Sequence, residues 1–314
     1  MRVRMKTVNI TYHIGLPKAA SSYLQRHLLP ALDLCYLGKH YTPHKPNRLH
    51  REFRRELTRT VNLPPYLITA GHRQRLIDLM QAIRDDAALS VDSYLYSNEG
   101  LFGNYNEGFR NIFQSAHALH AASPGARIIL ILRRQDTFIE SLYRQSIRNG
   151  NPHGIQRFMN GATSDFGGYK SASSPNFDVQ VLCWSHTVRF YRDLFGMNNV
   201  LALPNEMLAR EPQTFIDRIT SFLGLPAFSR ISTERTNSRD TLVPLTFQRY
   251  CNLTMPHKVA QYIGGAVRPR LNWIPFDRDY LDKKLKQRLQ NFFREDNRAL
   301  GELLNCDLEP YGYY

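Results

Sequence analysis

The chain has 314 residues, 42% of them hydrophobic, with a formal net charge of +14. That length and apolar content bury a full core in one large domain or two small ones. Apolar runs all fall short of the ~18 residues that a membrane-spanning helix needs. The charge calls for an anionic partner, such as a glycan, an acidic lipid or a phosphorylated cofactor. Nucleic acid is the weakest of these readings, because no helix-turn-helix, zinc-finger or RNA-binding signature accompanies the charge.

Residues 8–14 alternate, with Val8, Ile10, Tyr12 and Ile14 on one face, and predict a first strand. The loop after it reads "HIGLPKAASS" and leads into helical periodicity over 21–29. A strand-to-helix junction of this kind favours an anion, through free backbone N–H groups and the helix dipole. Gly15 allows the sharp exit from the strand. Ser21 and Ser22 offer hydroxyls in the first helical turn, and Lys18 is a mobile point charge at the loop tip. An ordinary turn carrying a surface lysine is the plainer reading. A nucleotide triphosphatase would read G-x-x-x-x-G-K-[ST], its hydroxyl holding magnesium. Here Ala19 follows Lys18, and no apolar strand ends in an Asp that could hold the metal instead. The loop suits a phosphate compound handled without metal.

Residues 36–75 follow as a basic insertion. Within it, 39–59 holds Lys39, Lys45, Arg48, Arg51, Arg54, Arg55 and Arg59 against Glu52 and Glu56. Arg48, Arg51, Arg55 and Arg59 fall on one helical face, either a solvated surface or the wall of an anionic cleft. Helical periodicity returns over 73–84, and "SYLYS" at 93–97 is a weaker strand. "ARIILIL" at 126–132 reads as a strand buried on both faces, and "NVLAL" at 199–203 is similar. Helices are expected over 136–148, 178–195 and 212–223, and the part from 240 to 314 is mostly helical, including 279–304. Residues 162–176 are polar and glycine-rich, a surface loop or a lid.

Alternating strands and helices predict an α/β fold: one domain over 1–314, with a central parallel sheet of four or five strands flanked by helices, of the P-loop nucleotide-hydrolase kind. Cys35, Cys183, Cys251 and Cys306 are scattered, with no C-x-x-C pair. That fits reduced thiols better than a disulfide frame or zinc site. The basic N-terminal stretch lacks an apolar signal region, so a cytoplasmic location is expected.

"GLPKAASSYLQ" resembles the 5′-phosphosulfate loop of sulfotransferases that use 3′-phosphoadenosine 5′-phosphosulfate (PAPS), typically P-K-[TSA]-[GA]-[ST]-[ST] after the first strand. Position 20, here Ala, is more often Gly in that family. "ARIILILRRQDTFIESLYRQ" resembles the family's 3′-phosphate site, with Arg133 at a strand end and Ser141 eight residues on. The chemistry agrees. Arg133 would leave the sheet at its carboxyl edge and meet a phosphate by a charge-assisted fork. Ser141 would stand about one and a half turns into the next helix. Surface charges ending a strand are the plainer reading of Arg133 and Arg134. Weaker similarity extends over 190–208, 215–226 and 292–314.

The resemblance implies PAPS as co-substrate, 3′,5′-ADP (PAP) as product, no metal, and a donor site made of Gly15, Pro17, Lys18, Ala19, Ala20, Ser21, Ser22, Arg133, Ser141 and Arg239. Asn237 and Ser238 sit beside Arg239 in a late loop that would close the 3′-phosphate site. Lys18 would stabilise the leaving phosphate. Glu99, in "SYLYSNEG", matches the position where carbohydrate-type members carry a general base; a helix- or turn-capping Glu is the alternative. His13 is a second candidate base, though its place inside the first strand suits a packed histidine. His40, His44 and His72 are others. The acceptor implied is a hydroxyl of a glycan or glycolipid, possibly anionic, and the carboxyl-terminal similarity points to a bacterial enzyme. A P-loop kinase-like phosphotransferase and a non-catalytic nucleotide- or glycan-binding protein on the same fold are the competing functions. Acceptor identity and oligomeric state are not legible.

Overall fold

The structure is a computed structural model. It describes residues 9–16, 18–38, 47–103, 109, 111–159, 179–228, 242–271 and 279–313. Five strands form one parallel sheet: β1 (Asn9–His13), β2 (Cys35–Tyr36), β3 (Ser93–Ser97), β4 (Arg127–Leu132) and β5 (Val200–Pro204), in the order β2-β3-β1-β4-β5. Four were expected within a residue or so. The fifth, β2, is a two-residue edge strand, too short to show a period. The fold class holds as predicted.

β1 is the central strand, and this changes its pattern. Ile10, Tyr12 and Ile14 are buried as the alternation required, but Thr11 and His13 on the opposite face are buried too. A strand with helices on both sides has no solvent face. Successive residues of β3 show the two layers. Tyr96 meets Phe53 of helix α2 (Arg48–Val61) edge to face, ring centroids 5.5 Å apart, while Ser97 accepts a hydrogen bond from Gln25 on the other side.

Gln25 lies in a helical run that begins as α1 (Ser21–Tyr23), widens to a π turn over Leu24–Leu28 and tightens to a 3-10 turn over Leu29–Ala31. Helix α2 carries the predicted basic face: Arg48, Arg51, Arg55 and Arg59 are exposed, and Phe53 and Leu57 are buried in the core. The 36–75 segment is therefore not merely appended, since Tyr36 extends the sheet and α2 covers it. Helices α3 (Ala70–Asp86) and α4 (Ile112–Ala122) precede β4, and α5 (Gln135–Arg148) and the short α6 (Ile155–Phe158) follow it. The helix expected over 178–195 breaks at Cys183 into a 3-10 turn and α7 (Trp184–Phe195). After β5 come α8 (Asn205–Arg210) and α9 (Pro212–Leu223), then α10 (Leu242–Thr254), α11 (His257–Leu271) and α12 (Lys283–Leu304), as expected of a helical carboxyl-terminal part. Among the described residues, no helix is long and apolar enough to cross a membrane. The 162–176 loop, Lys39, His40, His44 and Lys45 lie outside the described residues.

Candidate functional site

In a parallel sheet all carboxyl-terminal strand ends share one edge. The order β3-β1-β4 puts the loop after β1 between the loops after its two neighbours, and the strand order reverses direction at β1, where open α/β sheets bind ligands. Glu99 follows β3, Lys18 follows β1 and Arg133 follows β4. Three segments far apart in sequence thus converge because their strands are adjacent, roughly 4.8 Å from one to the next.

The loop after β1 is tightly wound. The Ala19 N–H donates to the Leu16 carbonyl at 3.2 Å, and the Ser21 hydroxyl donates to the same oxygen at 3.3 Å. Lys18 and Ala20 both adopt left-handed backbone, φ 68° and 55°. For residues with a Cβ this conformation costs roughly 1–2 kcal/mol, a strain that Gly at position 20 would not carry. Gly15 is required for a different reason than a sharp exit. Its φ is unremarkable, but a Cβ there would lie 2.5 Å from His13 Nε2 and 2.7 Å from Ser21 Oγ. We expect Gly15→Ala to push the loop off the strand, lowering stability by about 1–3 kcal/mol and weakening nucleotide binding. A urea midpoint equal to that of the unaltered protein would contradict this packing.

Lys18 is exposed at the loop tip, and its carbonyl accepts a 2.6 Å hydrogen bond from Arg133 Nη1. The guanidinium of Arg133 is steadied further by Nε, which donates to Thr137 Oγ1 at 3.1 Å. Its own carbonyl accepts from Trp184 Nε1 at 2.8 Å. The next residue is held as firmly: the Arg134 N–H donates to Glu206 Oε1 at 3.1 Å, and the Arg134 side chain pairs with Asp136 at 2.6 Å. Burial raises the Glu206 carboxyl above its ordinary pKa, and Tyr313 donates to its second oxygen at 3.1 Å. Arg133 is thus anchored from both sides of the sheet edge.

Helix α5 begins at Gln135. Thr137 and Ser141 are four residues apart on it, so both hydroxyl residues line the face that starts beneath Arg133. Ser141 is half-buried.

Glu99 opens a 3-10 turn, Glu99–Leu101, and is half-buried. Asn98 fixes that turn: its Oδ1 accepts from the Gly100 N–H at 3.0 Å, its Nδ2 donates to Tyr96 Oη at 3.1 Å, and its backbone N–H donates to the His13 carbonyl at 3.1 Å. The last bond ties the Glu99 turn directly to the root of the Lys18 loop.

Among the other candidate bases, His13 is buried at 1% exposure beneath the loop, with Nδ1 2.7 Å from Ser97 Oγ. Burial lowers its pKa to about 4. His72 serves a helix end, its Nδ1 accepting from the Thr69 N–H at 3.1 Å. Pro17, Asn237, Ser238 and Arg239 lie outside the described residues. The structure therefore brings Gly15, Lys18, Ala19, Ala20, Ser21 and Ser22 into one loop, links that loop to Arg133, aligns Ser141 behind it and sets Glu99 on the neighbouring strand end. Sequence reasoning missed Thr137, Trp184 and Glu206. Thr137 had a signal, four residues after Arg133 at helical spacing; the other two are long-range partners with none.

A family profile described as "Sulfotransferase family" matches residues 12–230. No curated protein is matched by the sequence. Among solved structures, the fold is similar to the sulfotransferase of Alicyclobacillus acidocaldarius, at 16% identity and a TM-score of 0.56, covering 98% of this chain and 99% of that one. It also aligns with the sulfotransferase domain of the Synechococcus PCC 7002 olefin synthase, at 17% identity and a TM-score of 0.36 over 93% and 97% of the two chains. The profile match takes in the Lys18 loop, the Glu99 turn and the Arg133 strand end together, and the protein belongs to the sulfotransferase family, enzymes that take their sulfuryl group from PAPS.

Proposed function

We propose that this sulfotransferase moves the sulfuryl group of PAPS to a hydroxyl of a glycan or glycolipid by in-line displacement at sulfur. The bond from sulfur to the acceptor oxygen forms as the bond to the bridging phosphate oxygen breaks. PAP leaves, and the acceptor proton passes to the Glu99 carboxylate. Lys18 balances the charge that grows on the bridging oxygen, as magnesium does in a kinase. Arg133, with Ser141 and the late loop carrying Arg239, receives the 3′-phosphate, and Gly15–Ser22 wraps the 5′-phosphosulfate. The observation that supports this reading is the strand order: Glu99 after β3 and Arg133 after β4 fall on opposite sides of the Lys18 loop after β1.

Support for a sugar acceptor comes from Glu99 itself, a carboxylate where a base is needed, and from α2. That helix turns four exposed arginines outward while Phe53 packs on the strand leading to Glu99. Such a surface draws an anionic acceptor. The carboxyl-terminal helices α10–α12 and the 36–75 segment would shape the acceptor cleft. Four free thiols fit a reducing, cytoplasmic setting.

Glu99→Gln keeps the shape of the side chain and removes the base. We expect turnover to fall by about 10²–10⁴-fold, with PAP affinity within about twofold of the unaltered protein. Radiolabelled sulfate transfer and calorimetry on one preparation check both. Loss of PAP binding in this variant would make Glu99 a structural residue and overturn its assignment.

A further inference from the structure

Under the Lys18 loop lies a buried polar chain that the transfer chemistry does not use. Gln25 Nε2 donates to Ser97 Oγ at 2.9 Å, and Ser97 Oγ lies 2.7 Å from His13 Nδ1. The Ser97 hydroxyl, already accepting from Gln25, has Nδ1 as the acceptor for its own proton. That assignment leaves the ring proton on Nε2. With its pKa lowered to about 4, the imidazole is neutral at physiological pH.

His13 Nε2 has no hydrogen-bond partner among the described residues, and it is buried. A buried donor left unmade costs roughly 1–3 kcal/mol. Such a cost persists where the missing partner arrives with a ligand. His13 Nε2 and Ser21 Oγ border one small space: the point where a Cβ on Gly15 would stand is 2.5 Å from His13 Nε2, 2.8 Å from His13 Cε1 and 2.7 Å from Ser21 Oγ. The ring nitrogen and the serine oxygen therefore flank the same small space under the loop. Ser21 now spends its proton on a long, 3.3 Å bond to the Leu16 carbonyl.

We propose that His13 is a positioning residue of the nucleotide site. When a phosphate enters the loop, the Ser21 hydroxyl releases Leu16 and donates to a phosphate oxygen, and its lone pair accepts the His13 Nε2–H. The chain Gln25–Ser97–His13–Ser21–phosphate then runs donor to acceptor throughout, each bond polarising the next. His13 neither touches the nucleotide nor takes a proton. It orients Ser21 and satisfies its own buried donor only in the loaded state. This inference rests on the reading of the loop as the 5′-phosphate site.

The test uses PAP as the probe and calorimetry as the readout. His13→Asn keeps an acceptor for Ser97 but lacks the distal donor; His13→Gln restores a donor near the Nε2 position. We expect PAP affinity to fall about tenfold in His13→Asn and to recover most of that loss in His13→Gln. Ser21→Ala should cost less PAP affinity when added to His13→Asn than it does in the unaltered protein, because part of what Ser21 contributes depends on His13. Equal affinity in His13→Asn and the unaltered protein overturns the proposal, as does equal loss in the Asn and Gln variants. A measurement on the unaltered protein guards against variants that do not fold. With ¹⁵N-labelled histidine, the His13 Nε2–H proton resonance should move downfield and exchange more slowly when PAP is added; an unmoved resonance overturns the role. If the unaltered protein binds no PAP, the reading of the loop fails first, and the His13 role with it.

Discussion

Lys18→Ala is expected to lower turnover in sulfuryl transfer by about 10²–10³-fold, the usual cost of removing one preorganised charge or donor from a developing oxyanion, while PAP binding weakens far less. The proposed reaction builds negative charge on one bridging oxygen, and a compact ammonium is suited to a single atom. The Lys18 carbonyl accepts from Arg133 Nη1 at 2.6 Å, and Ala supplies the same carbonyl. The left-handed backbone at φ 68° is no harder for Ala than for Lys. A urea midpoint near that of the unaltered protein, measured on the same preparation, assigns the loss of rate to the ammonium and not to a collapsed loop. Lys18→Arg should restore little, because a planar fork on a longer arm does not place one charge at the same point. Retention of full activity by Lys18→Ala, measured as radiolabelled sulfate transfer from PAPS, would end the proposed mechanism.

Arg133→Ala is expected to raise the dissociation constant for PAP by about 10²-fold, close to 3 kcal/mol, the scale of a charge-assisted fork on phosphate. The same substitution should scarcely change the weaker binding of 5′-AMP, which has no 3′-phosphate. Thr137, Trp184 and the Lys18 carbonyl already hold Arg133 in place, so the ligand meets a preorganised guanidinium and little side-chain entropy is lost on binding. Because one Arg133 nitrogen also steadies the Lys18 loop, the comparison with AMP is essential. A loss shared equally by PAP and AMP would mean that Arg133 supports the loop alone, and would remove it from the 3′-phosphate site. Calorimetric titration of both nucleotides against both proteins decides.

Much of this site was legible in the sequence because its parts are local. β4 announced itself as a run buried on both faces, and the Arg that ends it had to emerge at the ligand edge. The Lys18 loop showed its small residues and lacked a magnesium ligand. The basic face of α2 followed from helical spacing alone. What sequence could not supply was register and distance. The alternation of β1 suggested one buried face, and only its central position explains why Thr11 and His13 are buried as well. Gly15 looked like a turn residue and proves to be a close-approach residue, because His13 and Ser21 occupy the space a side chain would need. Trp184 and Glu206 anchor the Arg133 segment across 51 and 72 positions of chain, separations at which no local pattern carries information.

The family assignment settles the competition among functions at the level of chemistry. A kinase-like phosphotransferase and a non-catalytic binding protein both remained open on the loop alone, and the profile match across 12–230 goes to the sulfotransferases. The acceptor is left to the segments that surround the sheet edge, and the proposal of a glycan or glycolipid rests on Glu99 and α2.

The most direct test of the account is calorimetric titration of the unaltered protein with PAP, beside 5′-AMP and ATP-magnesium. The account predicts micromolar binding of PAP, much weaker binding of AMP and no preference for ATP-magnesium. Absence of PAP binding, or tighter binding of ATP-magnesium, would contradict it.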